Sequence, residues 1–334
     1  MHVGMASIFQ NPKNDQGKSD YSIYQQDMAL AYAAKLGTMV IVLPWNDPMR
    51  VAEKISMLDC MTDGRAIFGI GRGLGRVEFE GFRVDMNESR DRFVESADMI
   101  ITGLEQGYCE YDGTYIKQPK ARIRPEPFRT FKNRTYAASV SPESCSLMAK
   151  LGVGILIIPQ KTWEEHAQDL SNYSTVFKQT HGVDAPPPYV AGWVACDNDA
   201  GRAEEMAREY IVGYWQSVVK HYEMQSSHFE STKGYEYYKA LNETIEEHGV
   251  DGMAQFFLDL QIWGTPEQCF EKIKQVHART NCCGFTGVFS YAGMPADVAM
   301  KNLQTFAKHV VPELKQLGDR PAFDMSEEVE LGLS

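Results

Sequence analysis

Residues 65–75 read Arg-Ala-Ile-Phe-Gly-Ile-Gly-Arg-Gly-Leu-Gly, an apolar run that leads straight into Gly71, Gly73 and Gly75 with Arg72 among them. The run at 66–70 has the length of a buried strand. Glycine lets the following backbone take positive φ and come close to a ligand. Arg72 puts a permanent cation with a planar fork of donors at the carboxyl end of that strand. The spacing is not that of a dinucleotide fingerprint, because Arg76 stands where GxGxxG needs its last glycine, and the Lys-Ser/Thr of a P-loop is absent. Taken alone, the loop is equally a phosphate site or a tight turn. A second junction, Ser139-Val140-Ser141-Pro142-Glu143-Ser144, also follows a strand-like run and opens a helix. Its hydroxyls and free N–H groups suit an anion, although a serine-rich N-cap is more often structural.

Working outward, strand-like and helix-like segments alternate. Apolar runs at 2–9, 37–43, 66–70, 135–140, 154–158, 189–195 and 284–290 read as strands. Between them lie a polar loop at 11–20 and helices at 21–34, from Pro48, around Phe93 to Leu104, up to Leu147, from Thr162, at 201–219 and from Pro266. Asp47-Pro48 is an N-cap with proline at the first helical position, and Thr162/Glu165 and Thr265/Gln268 have capping-box spacing. Ala299, Leu303, Phe306 and Val310 stripe a last helix. Residues 107–133 read as proline-rich loop, and 221–259 as an insertion over the active face of a barrel. Alternation with wholly apolar strands predicts an α/β fold with a parallel sheet, closed as a (β/α)₈ barrel. One domain is expected over 1–316, followed by a loose acidic tail at 317–334.

Composition narrows the function. The chain has 334 residues, 43% hydrophobic and 23% charged, with a net charge of −12. That acidity argues against nucleic-acid binding, which needs a basic footprint. No run approaches the roughly 18–20 apolar residues of a membrane span. The seven cysteines form no CxxC pair, which points to a reducing cytoplasm. The eight histidines form no HxxxH or HExxH, so no metal site is expected.

Leu43-Pro44 with Asp47-Pro48-Met49-Arg50, Leu58-Asp59, Asp63-Gly64-Arg65, Gly69-Ile70-Gly71-Arg72-Gly73, Asn87-Glu88-Ser89-Arg90, Trp263-Gly264-Thr265-Pro266-Glu267 and Cys282-Cys283-Gly284-Phe285 occur in order along the chain. Together they resemble the bacterial luciferase-like flavin-dependent monooxygenases, and within them the luciferase α-subunit and its single-component relatives. The resemblance implies a TIM (β/α)₈ barrel that binds reduced FMN at the carboxyl ends of its strands. It implies that Arg72 pairs with the FMN phosphate, that Ser141 and Ser144 hydrogen-bond it, and that Leu74 touches the flavin. Met39-Val40 falls where the family often has a non-proline cis peptide beneath the ring. Val140 replaces a glutamate of the α-subunit, and Gly71 stands where luciferase has a reactive cysteine. Glu78, just past the loop, is the candidate for orienting active-site groups, the alternative being an ion pair with Arg76 or Arg83. Trp193, Tyr235 and Trp263 are candidate substrate or lid residues, with core packing or a solvated loop as the alternatives.

The chain departs from that pattern near its start. The family has a second strand, ending in a Glu-His-His-like motif, before Gly37-Thr38; here Ala29 to Lys35 runs directly into Leu36. About one βα unit, roughly 30 residues, is missing on barrel arithmetic. No histidine lies between His2 and His166, so the family's imidazole has no counterpart. The expected activity is oxidation of a small apolar molecule, such as an aldehyde or terpene, by reduced FMN and O₂ through a C4a-peroxyflavin. A separate reductase would supply the flavin, and the protein would be a homodimer. Two other functions are compatible with the same barrel: an F420-dependent oxidoreductase, and a non-catalytic partner like the luciferase β-subunit.

Overall fold

The computed structural model describes residues 1–6, 37–139 and 141–317. The helix expected over 21–34, the loop before it, the junction at 29–36, Val140 and the tail after Leu317 lie outside these residues. In chain order the strands are β1 (His2–Ala6), β2 (Ile41–Val42), β3 (Phe68–Gly71), β4 (Tyr108–Asp112), β5 (Lys117–Arg122), β6 (Thr135–Ala138), β7 (Gly154–Ile157), β8 (Tyr189–Cys196), β9 (Ile262–Gly264) and β10 (Gly284–Val288). Eight of them form one sheet in the order β1-β10-β8-β7-β6-β3-β2, with β9 beside β8. Every ladder in it is parallel. β3, β7 and β8 are buried along their whole length, as expected for strands covered on both faces. This is an α/β, TIM-barrel-type arrangement. β1 and β2 end the order, and among the described residues no ladder joins them.

The helices begin where their caps put them. Asp47 accepts a hydrogen bond from the Arg50 N–H at 2.8 Å and opens the helix Pro48–Met61. Both capping boxes form, at Trp163–His181 and at Pro266–Thr280. The strand expected over 37–43 is shorter: only β2 and a single bridge from Gly37 to Ile67 pair with the sheet. Pro44, which has no N–H to give a ladder, sits in a 3₁₀ turn, Leu43–Trp45. Residues 107–133 are not all loop, because β4 and β5 form an antiparallel hairpin. β5 is mostly solvent-exposed and so lacks the apolar alternation that marks a half-buried strand. The expected loop at 221–259 is largely helical, with His228–Ser231 and Glu236–Asp259, the latter kinked at Gly249 (φ 74°, ψ 160°). Among the described residues no helix is long and apolar enough to cross a membrane.

Three local contacts place β3 and its neighbours. A Cβ on Gly69 would lie 1.8 Å from the Thr38 carbonyl oxygen, so only glycine admits this approach. Thr38 Oγ1 also donates to Gly69 O at 2.8 Å and accepts from Gly69 N at 2.9 Å. Arg134, at the start of β6, is buried against Asp59 with N–O distances of 2.6 and 3.1 Å. Its remaining donors reach the carbonyls of Gly64, Ala66, Arg129 and Thr130, which fixes the turn that feeds β3. Finally, β8 changes partner along its length: Trp193 is opposite Val288 of β10, and the next residue, Val194, is opposite Ile262 of β9.

Candidate functional site

Parallel strands bring their carboxyl ends to one face, and here those ends surround a cavity of about 630 Å³. β2, β3, β6, β7 and β10 each contribute a wall residue at or just past that end: Val42, Arg72, Ala138, Ile158 and Val288. β8 contributes Trp193. The glycines that frame Arg72 are required by close approach. A Cβ on Gly71 would meet the Val40 side chain at 2.5 Å, and one on Gly73 (φ +86°) would meet Val42 and the Trp45 ring at 2.8 Å. The Met39-Val40 peptide is cis, and both residues line the cavity beside this loop.

One end of the cavity is polar. Ser141 caps the helix Pro142–Leu151, accepting from the Ser144 N–H at 3.2 Å, and the two hydroxyls are 2.9 Å apart. The helix N-terminus therefore opens on the same wall as Arg72, where unsatisfied N–H groups and the macrodipole favour an anion. Arg72 Nη1 donates to Gly234 O at 2.6 Å, and its guanidinium lies 4.0 Å from the centre of the Tyr235 ring. Arg90 reaches the same carbonyl at 3.3 Å and pairs with Glu143 at 2.8 Å. The Glu236 carboxyl is held below its ordinary value by the backbone N–H groups of Glu236 and Gly234, with Arg90 and Arg72 adding to the effect. Farther along the wall, Glu78 Oε1 lies 3.0 Å from Nε2 of His221, a half-exposed residue that does not itself line the cavity. Burial, with the Glu78 charge adding, pushes the nearby Tyr222 phenol up to about 12.

The other end is aromatic. Trp193 packs on Tyr214 with ring centres 4.5 Å apart, and Phe257 stacks on Trp215 at 5.2 Å. Gln160 Oε1, Trp193 Nε1 and Trp215 Nε1 are buried wall atoms with no hydrogen-bond partner among the described residues. Buried polar atoms are nearly always satisfied, so each is a place where a bound molecule would gain a hydrogen bond.

Of the residues singled out from the sequence, Met39, Val40, Arg72, Leu74, Glu78, Ser141, Ser144 and Trp193 line this one cavity. Glu78 pairs with His221, not with Arg76, which binds Glu223 and Glu80 instead. Tyr235 and Trp263 are not on the wall. Tyr235 is fully buried behind it and hydrogen-bonds Gly73 O at 2.9 Å and Ser89 Oγ at 3.1 Å. The Tyr235-Glu236-Tyr237-Tyr238 run is therefore no solvated loop surface: Tyr235 and Tyr238 pack with Phe229. Trp263 donates to Leu258 O at 3.1 Å and stacks beneath Lys272. Sequence reasoning missed Arg90, Glu143, Glu236 and the wall aromatics Tyr214, Trp215 and Phe257. The adjacent Tyr214-Trp215 pair on an amphipathic helix was the available signal.

The chain matches the profile of the luciferase-like monooxygenases over residues 28–280. It is 26% identical to the alkanal monooxygenase alpha chain of Photorhabdus luminescens over 292 residues, 84% of this chain and 79% of that one. Among solved structures it resembles the oxygenating constituent of 3,6-diketocamphane monooxygenase of Pseudomonas putida, a type II Baeyer–Villiger monooxygenase in complex with FMN. The TM-score is 0.63 at 17% identity, covering 94% of this chain and 98% of that one. It also resembles the coenzyme F420-dependent tetrahydromethanopterin reductase of Methanopyrus kandleri, with a TM-score of 0.62 at 17% identity, covering 93% and 91%. By the extent of the profile match, the chain belongs to the luciferase-like monooxygenase family.

Proposed function

We propose that this chain is an FMN-dependent monooxygenase that oxidises a small apolar molecule, such as an aldehyde or terpene, with reduced flavin and O₂. The observation that carries the reading is one cavity lined both by Arg72, Ser141 and Ser144 and by the aromatic residues Trp193, Tyr214, Trp215 and Phe257. The residues present fit a phosphorylated flavin. Arg72 and the helix N-terminus would hold its phosphate, and Met39, Val40 and Leu74 would flank its ring. Bound reduced FMN supplies the electrons with which one oxygen atom of O₂ is transferred to the substrate and the other leaves as water.

The protein's own part is to bind, orient and exclude water. Trp193, Tyr214, Trp215 and Phe257 offer the substrate an apolar surface and keep the reacting centre dry. Glu78, on the cavity wall, is oriented by its 3.0 Å contact with His221 Nε2. No protein nucleophile is required. A separate reductase would deliver the flavin, and the chain would act as a cytoplasmic homodimer.

The test is flavin binding to Arg72→Ala. Loss of a charged hydrogen bond to phosphate should weaken FMN binding by roughly 1.5–3 kcal/mol, while leaving riboflavin, which has no phosphate, nearly unaffected. Equal affinity of the two proteins for FMN, read by quenching of flavin fluorescence, would refute the site.

A further inference from the structure

The aromatic part of the cavity is laid down largely by one helix face. Tyr214, Trp215, Val218 and Tyr222 all line the cavity. Their spacing of i, i+1, i+4 and i+8 puts them on one side of the helix Val212–His221 and its C-cap, Tyr222. A π-helical turn, Ala207–Ile211, stands directly before that helix, and its extra residue rotates the face that follows by about 100°. Such turns are rare and occur frequently at functional sites. Phe257, from Glu236–Asp259, lies at 29° to the plane of Tyr214 and at 24° to that of Trp215. The rings thus stand as near-parallel plates. The same wall carries more polar atoms than it satisfies. The Tyr214 and Tyr222 hydroxyls make no hydrogen bond among the described residues, and burial raises both phenols, which keeps them protonated. Trp193 and Trp215 are 5% and 3% exposed, and neither indole N–H has an acceptor among the described residues. Indoles only donate, while neutral phenols donate and accept.

We propose that Trp193, Tyr214, Trp215 and Tyr222 select, as the molecule oxidised beside the flavin, a flat aromatic compound that carries a hydroxyl or carbonyl oxygen. The inference names a substrate class for the flavin reading above and rests on it. Ring faces pack on the plates with offset-stacked or edge-to-face geometry. The oxygen then meets N–H and O–H groups that would stay unpaired once water is expelled, and an unpaired buried donor is costly. A bare hydrocarbon of the same shape leaves those groups unmet, and a site built to hydrogen-bond an oxygen rejects the analogue that lacks it. A flexible alkyl chain fills the space but cannot stack, and it gives up rotamer freedom to enter.

The experiment separates ring from oxygen. Equilibrium dialysis of the full chain, with and without saturating oxidised FMN, compares 1-naphthol, naphthalene and decanal. With FMN bound, 1-naphthol is expected to bind at least roughly tenfold more tightly than either of the others. In Tyr214→Phe/Tyr222→Phe the ratio of 1-naphthol to naphthalene affinity should fall at least about threefold, with naphthalene itself held within about twofold. Naphthalene or decanal bound as tightly as 1-naphthol overturns the proposal, and so does an unchanged ratio in the double variant. Loss of 1-naphthol binding on addition of FMN also overturns it, because the plates then hold the flavin ring. If FMN itself does not bind, the flavin reading falls, and the ratios measured without FMN decide the selectivity of the wall on their own.

Discussion

Replacing Arg134 with methionine tests how the strand that leads into Arg72 is held in place. The guanidinium is 3% exposed and its partner Asp59 is fully buried. Methionine keeps most of the volume but removes the ion pair and orphans the carbonyls of Gly64, Ala66, Arg129 and Thr130. Removing one partner of a buried pair costs about 3–5 kcal/mol, because a charge is left in a dry site. Each orphaned carbonyl that water cannot reach adds about 1 kcal/mol or more. We therefore expect Arg134→Met to lose at least about 3 kcal/mol in urea unfolding read by tryptophan fluorescence, with the slope of the transition unchanged. The companion Asp59→Leu/Arg134→Met should be more stable than Arg134→Met alone by roughly 2 kcal/mol, since the stranded carboxylate is gone. A single-variant loss below about 1 kcal/mol, or two substitutions that simply add, would sink this account of the pair.

Other outcomes follow from single contacts. Burial, with Lys161 adding, pushes the His166 imidazole down to about 3. The unfolded chain takes up that proton near pH 6.5 and the folded chain only near pH 3, so folding stability falls as pH drops through this window. The loss between pH 7 and pH 5 should be about 2 kcal/mol, and His166→Phe should abolish that slope in chemical denaturation. Gly69→Ala, forced onto the Thr38 carbonyl, should destabilise by at least about 3 kcal/mol. Gly81→Ala, in a helix with nothing within 4 Å of the new methyl, should instead stabilise by about 0.5–1 kcal/mol; equal melting temperatures for the two variants would contradict the contact geometry. Tyr235→Phe leaves Gly73 O short of a partner and should lower the unfolding free energy by about 1–3 kcal/mol, whereas a surface role for this phenol predicts no change.

Much of the fold was legible because its signals are local. The apolar run before Gly71, the proline after Asp47 and the Thr-x-x-Glu/Gln boxes each specify their element from a few neighbouring residues. The β4–β5 hairpin was not legible, since its exposed Lys117-Gln118-Pro119-Lys120 carries no pattern that burial would impose. The segment at 221–259 was misread for a different reason. Phe229, Tyr235 and Tyr238 look solvent-facing in a row of polar residues, and their burial is set by Phe79, Met86 and Leu74 from far along the chain. That Arg72, Ser141 and Ser144 would meet at one cavity was readable because each follows a strand-like run, and parallel strands bring those ends to one face. Arg90, Glu143 and Glu236 were not, because charge on an exposed helix carries no mark of what it will face. For Trp263 the packing alternative holds: it packs against the cluster around Trp193 and Phe257, with its ring under Lys272.

The change of partner within β8 gives the cavity wall a handle outside the cavity. Trp193 is held by β10 on one side of the fork, and its backbone N–H donates to Gln261 Oε1, just ahead of β9, at 3.2 Å. Any substitution that tilts β9, or the capped helix that follows it, turns the indole without altering a residue of the cavity wall. The shape of the cavity can therefore drift through changes in a neighbouring strand, with the wall composition kept intact.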